Sequence, residues 1–201
     1  MSTEEPLGPI ARLIEELSKL PGVGPKSAER MTHFLLTSPR AEVFALADAL
    51  RDVKEKIRRC VLCCNLTEQE KCEICSNPKR DPTIICVVEQ PWDLRAIERA
   101  GSYRGTYHVL HGRHAPLENV DLEQLTIDRL LQRVQLGEVR EIIMATNPTF
   151  EGDGTAIYLS SLLESSEVPI TKLARGLASG LGLEHANNQM LAEALEGRRE
   201  L

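Results

Sequence analysis

Three things are missing from this 201-residue chain, and each absence removes a class of protein. No apolar run approaches the roughly 18 to 20 residues of a membrane span, so a helical membrane protein is not expected. The first residues, MSTEEPLGPI, are acidic and lack the basic-then-apolar order of a secretory leader, which points to the cytoplasm. There is no excess of positive charge: 24 Lys/Arg against 30 Asp/Glu give −6. That argues against a chain that coats nucleic acid through its global field. Internal repeats and low-complexity tracts are also lacking. What is present is 42% hydrophobic content, enough for a core in one or two domains.

The charge is uneven. Residues 1–80 hold 13 Lys/Arg against 12 Asp/Glu, whereas residues 81–201 hold 11 against 18, so the acidity belongs to the second part of the chain. Any nucleic-acid contact is therefore expected in the first. There, Ile10, Leu13, Ile14, Leu17 and Leu20 recur at helical spacing until Pro21. A second helical pattern starts at Lys26, with Ala28, Met31 and Leu35 expected inside. A third follows Pro39, with Val43, Leu46, Ala47, Leu50, Val53 and Ile57 on one face.

From Asp81 onward the pattern changes to short β-branched runs, at Thr83–Val88, Thr106–Leu110, Arg140–Ala145 and Val168–Leu173. Amphipathic stretches around Leu94–Ala100, Ile127–Val134 and Ala156–Leu163 lie between them. This βαβ alternation predicts a mostly parallel sheet covered by helices. Asn187 to Gly197 reads as a last helix. The fold class is α+β in several parts: a helical region over 1–58, a cysteine module over 59–80, an α/β domain over 81–176 and a C-terminal segment over 177–201.

Cys60, Cys63, Cys72 and Cys75 form CVLC, eight residues, then CEIC. Two CxxC turns set four thiolates at the corners of a tetrahedron, which predicts structural zinc with no open coordination position. Disulfides are disfavoured without a secretory signal. Cys64 and Cys86 fall outside the spacing and read as packing residues. His108, His111 and His114 do not make a second site, because on a strand His108 and His111 face opposite sides.

The stretch LPGVGPKSAER places Gly22 and Gly24 between two helices, with Lys26 and Arg30 four residues apart at the start of the second. Glycines permit a tight turn and close approach. The free amides of a helix N-terminus can meet a phosphate, and two cations on one face add charge. Such a site reads nucleic-acid backbone and not base sequence. The same glycines would also serve as a capping turn in any helical hairpin.

LPGVGPKSAER resembles a helix-hairpin-helix motif. Together with CCNLTEQEKCEICSNPKRD, ICVVEQPWDLRAIE, YRGTYHVLHG, ATNPTFEG and ALEGRR, it makes nearly the whole chain resemble the RecR family of bacterial recombination mediators. The resemblance implies a non-enzymatic, DNA-binding factor of recombinational DNA repair in the bacterial cytoplasm, associated with the nucleoid. Such factors work with RecO and RecF, help load recombinase onto gapped or single-stranded DNA, and assemble into ring-like homo-oligomers, tetramers or dimers. Gly22, Gly24, Lys26 and Arg30 fall on the family's DNA-contacting hairpin, and the four cysteines on its zinc finger.

The βαβ region resembles a Toprim domain. In catalytic Toprim enzymes a glutamate follows the first strand and a DxD pair after a later strand holds magnesium. Glu89 matches the glutamate, but Asn147 and Thr149 stand at the DxD positions. Magnesium gives up water reluctantly and needs charged carboxylates, so losing both aspartates is expected to disable two-metal chemistry. Glu89, Glu151 and Asp153 remain nearby, and Glu151 is expected to face a weak cation or a basic partner. Asn147 and Pro148 would also serve as a plain turn.

A magnesium-dependent nuclease using Glu89 and Glu151, and a scaffold that never meets DNA, are the competing readings. The chain departs from the family in HGRHAPLENV, in ASGLGLEHANNQM and at Asn187, where aspartate is usual. The basic run RDVKEKIRR, Arg51 to Arg59, carries Asp52 and Glu55 within it and reads as a solvated helix face.

Overall fold

The computed structural model describes residues 8–114, 122–177, 179–180 and 182–198. The chain divides into two compact units, Met1–Ile57 and Arg58–Leu201. The polar stretch HGRHAPLENV lies outside the described residues from position 115 onward, as do 121 and 199–201, which include the last arginine of ALEGRR.

The first unit is helical: α1 (Pro9–Ser18), α2 (Pro25–Thr37) and α3 (Arg40–Lys56). Proline stands at the start of α1 and of α2, where its missing N–H costs nothing and its fixed φ suits the first turn. α1 and α2 pack against each other. The inner face of α2 runs through Ala28, Thr32 and the half-buried Leu35; Met31, expected inside, is 42% exposed. The apolar residues of α3 do share a face, but α3 buries none of them, and Leu50 and Val53 lie open. A pair of short helices closes only a small core, so the third is left with an unmatched stripe.

The second unit begins with an antiparallel ribbon, β1 (Arg58–Arg59) and β2 (Leu66–Thr67), and a single helical turn, α4 (Glu73–Ser76). Next come β3 (Asp81–Val88), α5 (Pro91–Ala100), β4 (Gly105–Val109), α6 (Ile127–Gln135), β5 (Glu141–Met144), α7 (Phe150–Leu163), β6 (Ile170–Lys172) and α8 (Asn188–Glu196). These last four strands form one sheet in the order β4-β3-β5-β6, every pair parallel.

Alternation along β3 sorts its side chains between two layers. Ile85 and Val87 join Ile142 and Met144 beneath α6 and α7, represented by Leu130, Val134, Leu159 and Leu163. Cys86 and Val88 join Tyr107 and Val109 beneath α5, through Leu94 and Ile97. Fully burying each such aliphatic side chain contributes about 1.5–3 kcal/mol, so these two layers hold the domain together. α5 leads from β3 to one side and α7 from β5 to the other, on opposite faces. The carboxyl ends of β3 and β5 therefore form a topological switch point, where open α/β sheets place their sites.

Helix starts are specified locally. Gln90 and Asp93 make a reciprocal capping box at α5, and Gly101 ends that helix with φ +70°. Asn187 caps α8, its side-chain oxygen accepting from the Met190 N–H at 2.8 Å. Aspartate at that position would cap equally well, so asparagine leaves the helix start intact.

Candidate nucleic-acid interface, zinc centre and Toprim crevice

The hairpin turn between α1 and α2 is built on Gly22, whose φ of +79° favours glycine. Gly24 has an ordinary extended backbone and serves as the N-cap of α2, its carbonyl accepting from the Ala28 N–H at 3.0 Å. Open space surrounds the position of a Cβ at both glycines, so another molecule's backbone can approach the turn closely. Lys26 and Arg30 are exposed one turn apart on α2, and the first turn of that helix carries no acidic residue. Neither cation has a carboxylate partner among the described residues. This arrangement of free helix amides and two uncompensated cations suits phosphate.

The four cysteines converge. Their sulfurs lie within 4.8 Å of one another, with Cys63 and Cys72 3.5 Å apart. Sulfurs bound to one zinc at about 2.3 Å stand about 3.8 Å apart, so the set fits a tetrahedral ion. The Cys72 N–H donates to Cys60 Sγ at 3.3 Å, which ties the two CxxC turns together. The Cys63–Cys72 contact draws the Cys72 thiol down and pushes Cys63 up, so the pair shares a proton where a cation can take its place. Four protein sulfurs complete the shell, and the ion's contribution is to fold the loop.

That loop is fastened to the sheet. Cys63 O accepts from the Val109 N–H at 2.8 Å, and Cys64 O meets His111 Nε2 at 2.6 Å. Cys64 and His111 both adopt positive φ to make the junction. Cys86 is a core residue, its thiol pushed up to about 12 by burial. His108 is buried on β4 with Nε2 3.0 Å from both the carbonyl and the hydroxyl of Thr126. Burial, followed by the nearby Arg133, lowers it to about 3, so it is neutral at physiological pH.

At the switch point, Glu89 and Asn147 come together. Glu89 is buried at the end of β3, and both of its carboxylate oxygens are taken by Asn147. Oε1 accepts from the backbone N–H and Oε2 from the side-chain amide, each at 2.8 Å. Thr149 is the N-cap of α7, its hydroxyl accepting from the Gly152 N–H at 3.1 Å. A Cβ at Gly152 would stand 2.2 Å from Asn147 O and 2.8 Å from Glu89 Oε1, so the helix start is pressed against the pair. The residues at the DxD positions are thus a clamp and a cap.

Asp153, expected among the carboxylates of the crevice, is engaged elsewhere. Lys172 donates to it, Arg175 bonds both of its oxygens, and Arg175 also lies 3.7 Å from Glu193 of α8. These bonds, Arg175 first, hold the Asp153 carboxyl down at about 2. Glu151 is half-buried in the first turn of α7. The donor set does not fit the magnesium of a catalytic Toprim domain. The glutamate faces an amide and not a second carboxylate, and the aspartate is paired with two cations. The clamp was not legible beforehand, because Asn147 next to Pro148 also reads as an ordinary turn. The Arg80–Glu98 ion pair, joined by the Tyr107 hydroxyl at 2.6 Å from Glu98, was likewise unforeseen.

Comparison with known proteins agrees with this anatomy. Residues 10–54 match the family described as RecR, helix-hairpin-helix; residues 57–77 match the RecR zinc finger domain of four cysteines; and residues 83–174 match the Toprim domain. Proteins named Recombination protein RecR are similar over nearly their full length. The one from Rhodopirellula baltica is 54% identical, over 96% of this chain and 98% of its own. Those of Roseiflexus sp. and Heliobacterium modesticaldum are 52% and 51% identical, over 96% of this chain and 94% and 97% of theirs. With its hairpin, its four converging cysteines and its altered Toprim crevice in the same order along the chain, this protein belongs to the RecR family.

Proposed function

We propose that this protein is a DNA-binding mediator of recombinational repair that performs no chemical step. It engages the sugar-phosphate backbone of gapped or single-stranded DNA through Gly22, Gly24, Lys26 and Arg30, and acts with RecO and RecF to load recombinase. It works in the bacterial cytoplasm, at the nucleoid. The observation that carries the reading is the pair Lys26 and Arg30, uncompensated and exposed beside an open glycine turn.

Two cations on one chain bind DNA weakly at physiological salt. Self-association into a ring would present several hairpins at high effective concentration and hold a duplex topologically. The bare apolar stripe of α3 supports such association. The Toprim region then serves as a partner platform, with Glu151 and the exposed Phe150 at its rim. The nuclease reading is opposed by the Glu89–Asn147 clamp, in which an amide stands where a second carboxylate would be needed and ties each Glu89 oxygen into one hydrogen bond.

The test is a native gel of end-labelled gapped DNA in magnesium, with the original protein beside the Lys26→Glu/Arg30→Glu variant. A retarded, full-length band that the variant fails to produce is expected. Magnesium-dependent shortening that disappears with Glu89→Gln would overturn the non-enzymatic reading, and retardation unchanged in the variant would remove DNA from the hairpin.

A further inference from the structure

The outer face of α6 carries a feature that DNA binding at the hairpin does not use. The buried side of this helix is Ile127, Leu130 and Val134. Its other side, continuing into the following turn, presents Arg129, Gln132, Arg133 and Leu136. With Val61 and Leu62 of the cysteine loop, these line a cavity of about 520 Å³. That volume lies within the range of ordinary ligand clefts. The three aliphatic side chains are open to solvent, Leu136 at 76%.

The two arginines bring positive charge to the cavity, while Glu123, Asp128 and Arg59 line the adjoining hollow. Among the described residues, no carboxylate lines the cavity. Arg129 has no carboxylate partner among them either. Arg133 donates to neutral acceptors, the Tyr107 carbonyl at 2.6 Å and the Thr106 hydroxyl at 2.9 Å. After burial, Arg133 and, more weakly, His111 and then Arg129 lower the pKa of His108. A doubly positive, partly apolar hollow therefore stands out in the acidic part of the chain.

We propose that this cavity docks a peptide segment of a partner protein in which Asp or Glu residues flank a leucine- or phenylalanine-type side chain. The exposed Arg129 guanidinium offers planar, bidentate pairing to a carboxylate, Arg133 adds its charge while tied to the sheet, and Val61, Leu62 and Leu136 offer the apolar seat. A nucleic-acid strand is a poorer occupant. The described lining has no aromatic ring on which a base could stack.

The experiment is fluorescence anisotropy on the full chain with three short labelled probes: an acidic peptide containing two leucines and a phenylalanine, the same peptide with serine at those three places, and a single-stranded oligonucleotide. Saturable binding of the first is expected, with about tenfold weaker binding of the serine peptide. Arg129→Glu should cost about tenfold or more, Arg129→Lys less, and Leu136→Ser an intermediate amount, since charge and apolar contact both contribute. Arg129 and Leu136 are exposed, so circular dichroism should show these variants folded. Lys26→Glu/Arg30→Glu should leave peptide binding unchanged. Equal affinity for the serine peptide, displacement of the peptide by the oligonucleotide in an Arg129-dependent way, or indifference to Arg129→Glu would each overturn the proposal. A drop in sedimentation mass caused by Arg129→Glu would do so too, by giving the face to another copy of this chain.

Discussion

Asn147 shows how one side chain changes the chemistry of a crevice. An aspartate there would face the buried Glu89 carboxylate with like charge, an arrangement that a bound cation relieves. The amide instead donates to that carboxylate, and the pair closes without an ion. Asn147→Ala removes the side-chain donor and leaves buried charge poorly satisfied. A loss of about 2–3 kcal/mol is expected, read from denaturant unfolding monitored by circular dichroism. Asp153 gives a second test at this scale. Arg175 and Lys172 lower its carboxyl from the ordinary 3.8 to about 2. The native state therefore holds this carboxylate charged where the unfolded chain would bind a proton, and the stabilisation is complete above about pH 4. It declines as pH falls toward 2. In Asp153→Asn the thermal midpoint should be lower at pH 7 and should fall less steeply between pH 4 and 2 than in the original protein.

At the scale of elements, the cysteine loop and α7 are the parts whose integrity sets the rest. The Cys63 and Cys64 carbonyls are bound to Val109 and His111, so loosening the loop uncovers the end of β4. Cys72→Ser, or chelation, is expected to abolish a content of about one zinc per chain and to lower the thermal midpoint of the sheet-bearing unit. An unchanged thermal midpoint after loss of the zinc would show the metal to be dispensable, and retained zinc in Cys72→Ser would remove Cys72 from its ligands. Gly152→Ala should destabilise by about 1–3 kcal/mol, because its methyl meets the Asn147 carbonyl and can be accommodated only by moving the start of α7. The CxxC spacing and the β-branched runs were legible because each states its own geometry: two turns around a tetrahedron, and alternation across a sheet. The start of α7 was not. Its first turn is FEGDG, and two glycines among acidic residues read as loop until Thr149 is seen capping them. The inner face of α2 slipped by one residue for a similar reason. Threonine at position 32 is a poor hydrophobic signal, yet it sits buried between Ala28 and Leu35.

For the whole molecule the governing fact is the separation of charge. The first 80 residues are close to neutral and the remainder strongly acidic, so the proposed DNA-binding surface would be local, and the proposed association of copies would repeat it. The α3 stripe follows the same logic. Its periodicity was visible in the sequence, but periodicity gives the apolar face of a helix and not what covers it. Leu50→Glu on that stripe should therefore lower the mass measured by analytical ultracentrifugation while leaving the helical content unchanged. An unchanged mass would take the stripe out of self-association. The central claim, phosphate recognition by the hairpin, is tested most directly by the salt dependence of affinity for gapped DNA. Measured by anisotropy over a range of salt for the original protein and Lys26→Glu/Arg30→Glu, the slope of log affinity against log salt should flatten by about 2 for each chain engaged. An identical slope in the two proteins would contradict the account, because the phosphates would then be neutralised by other residues.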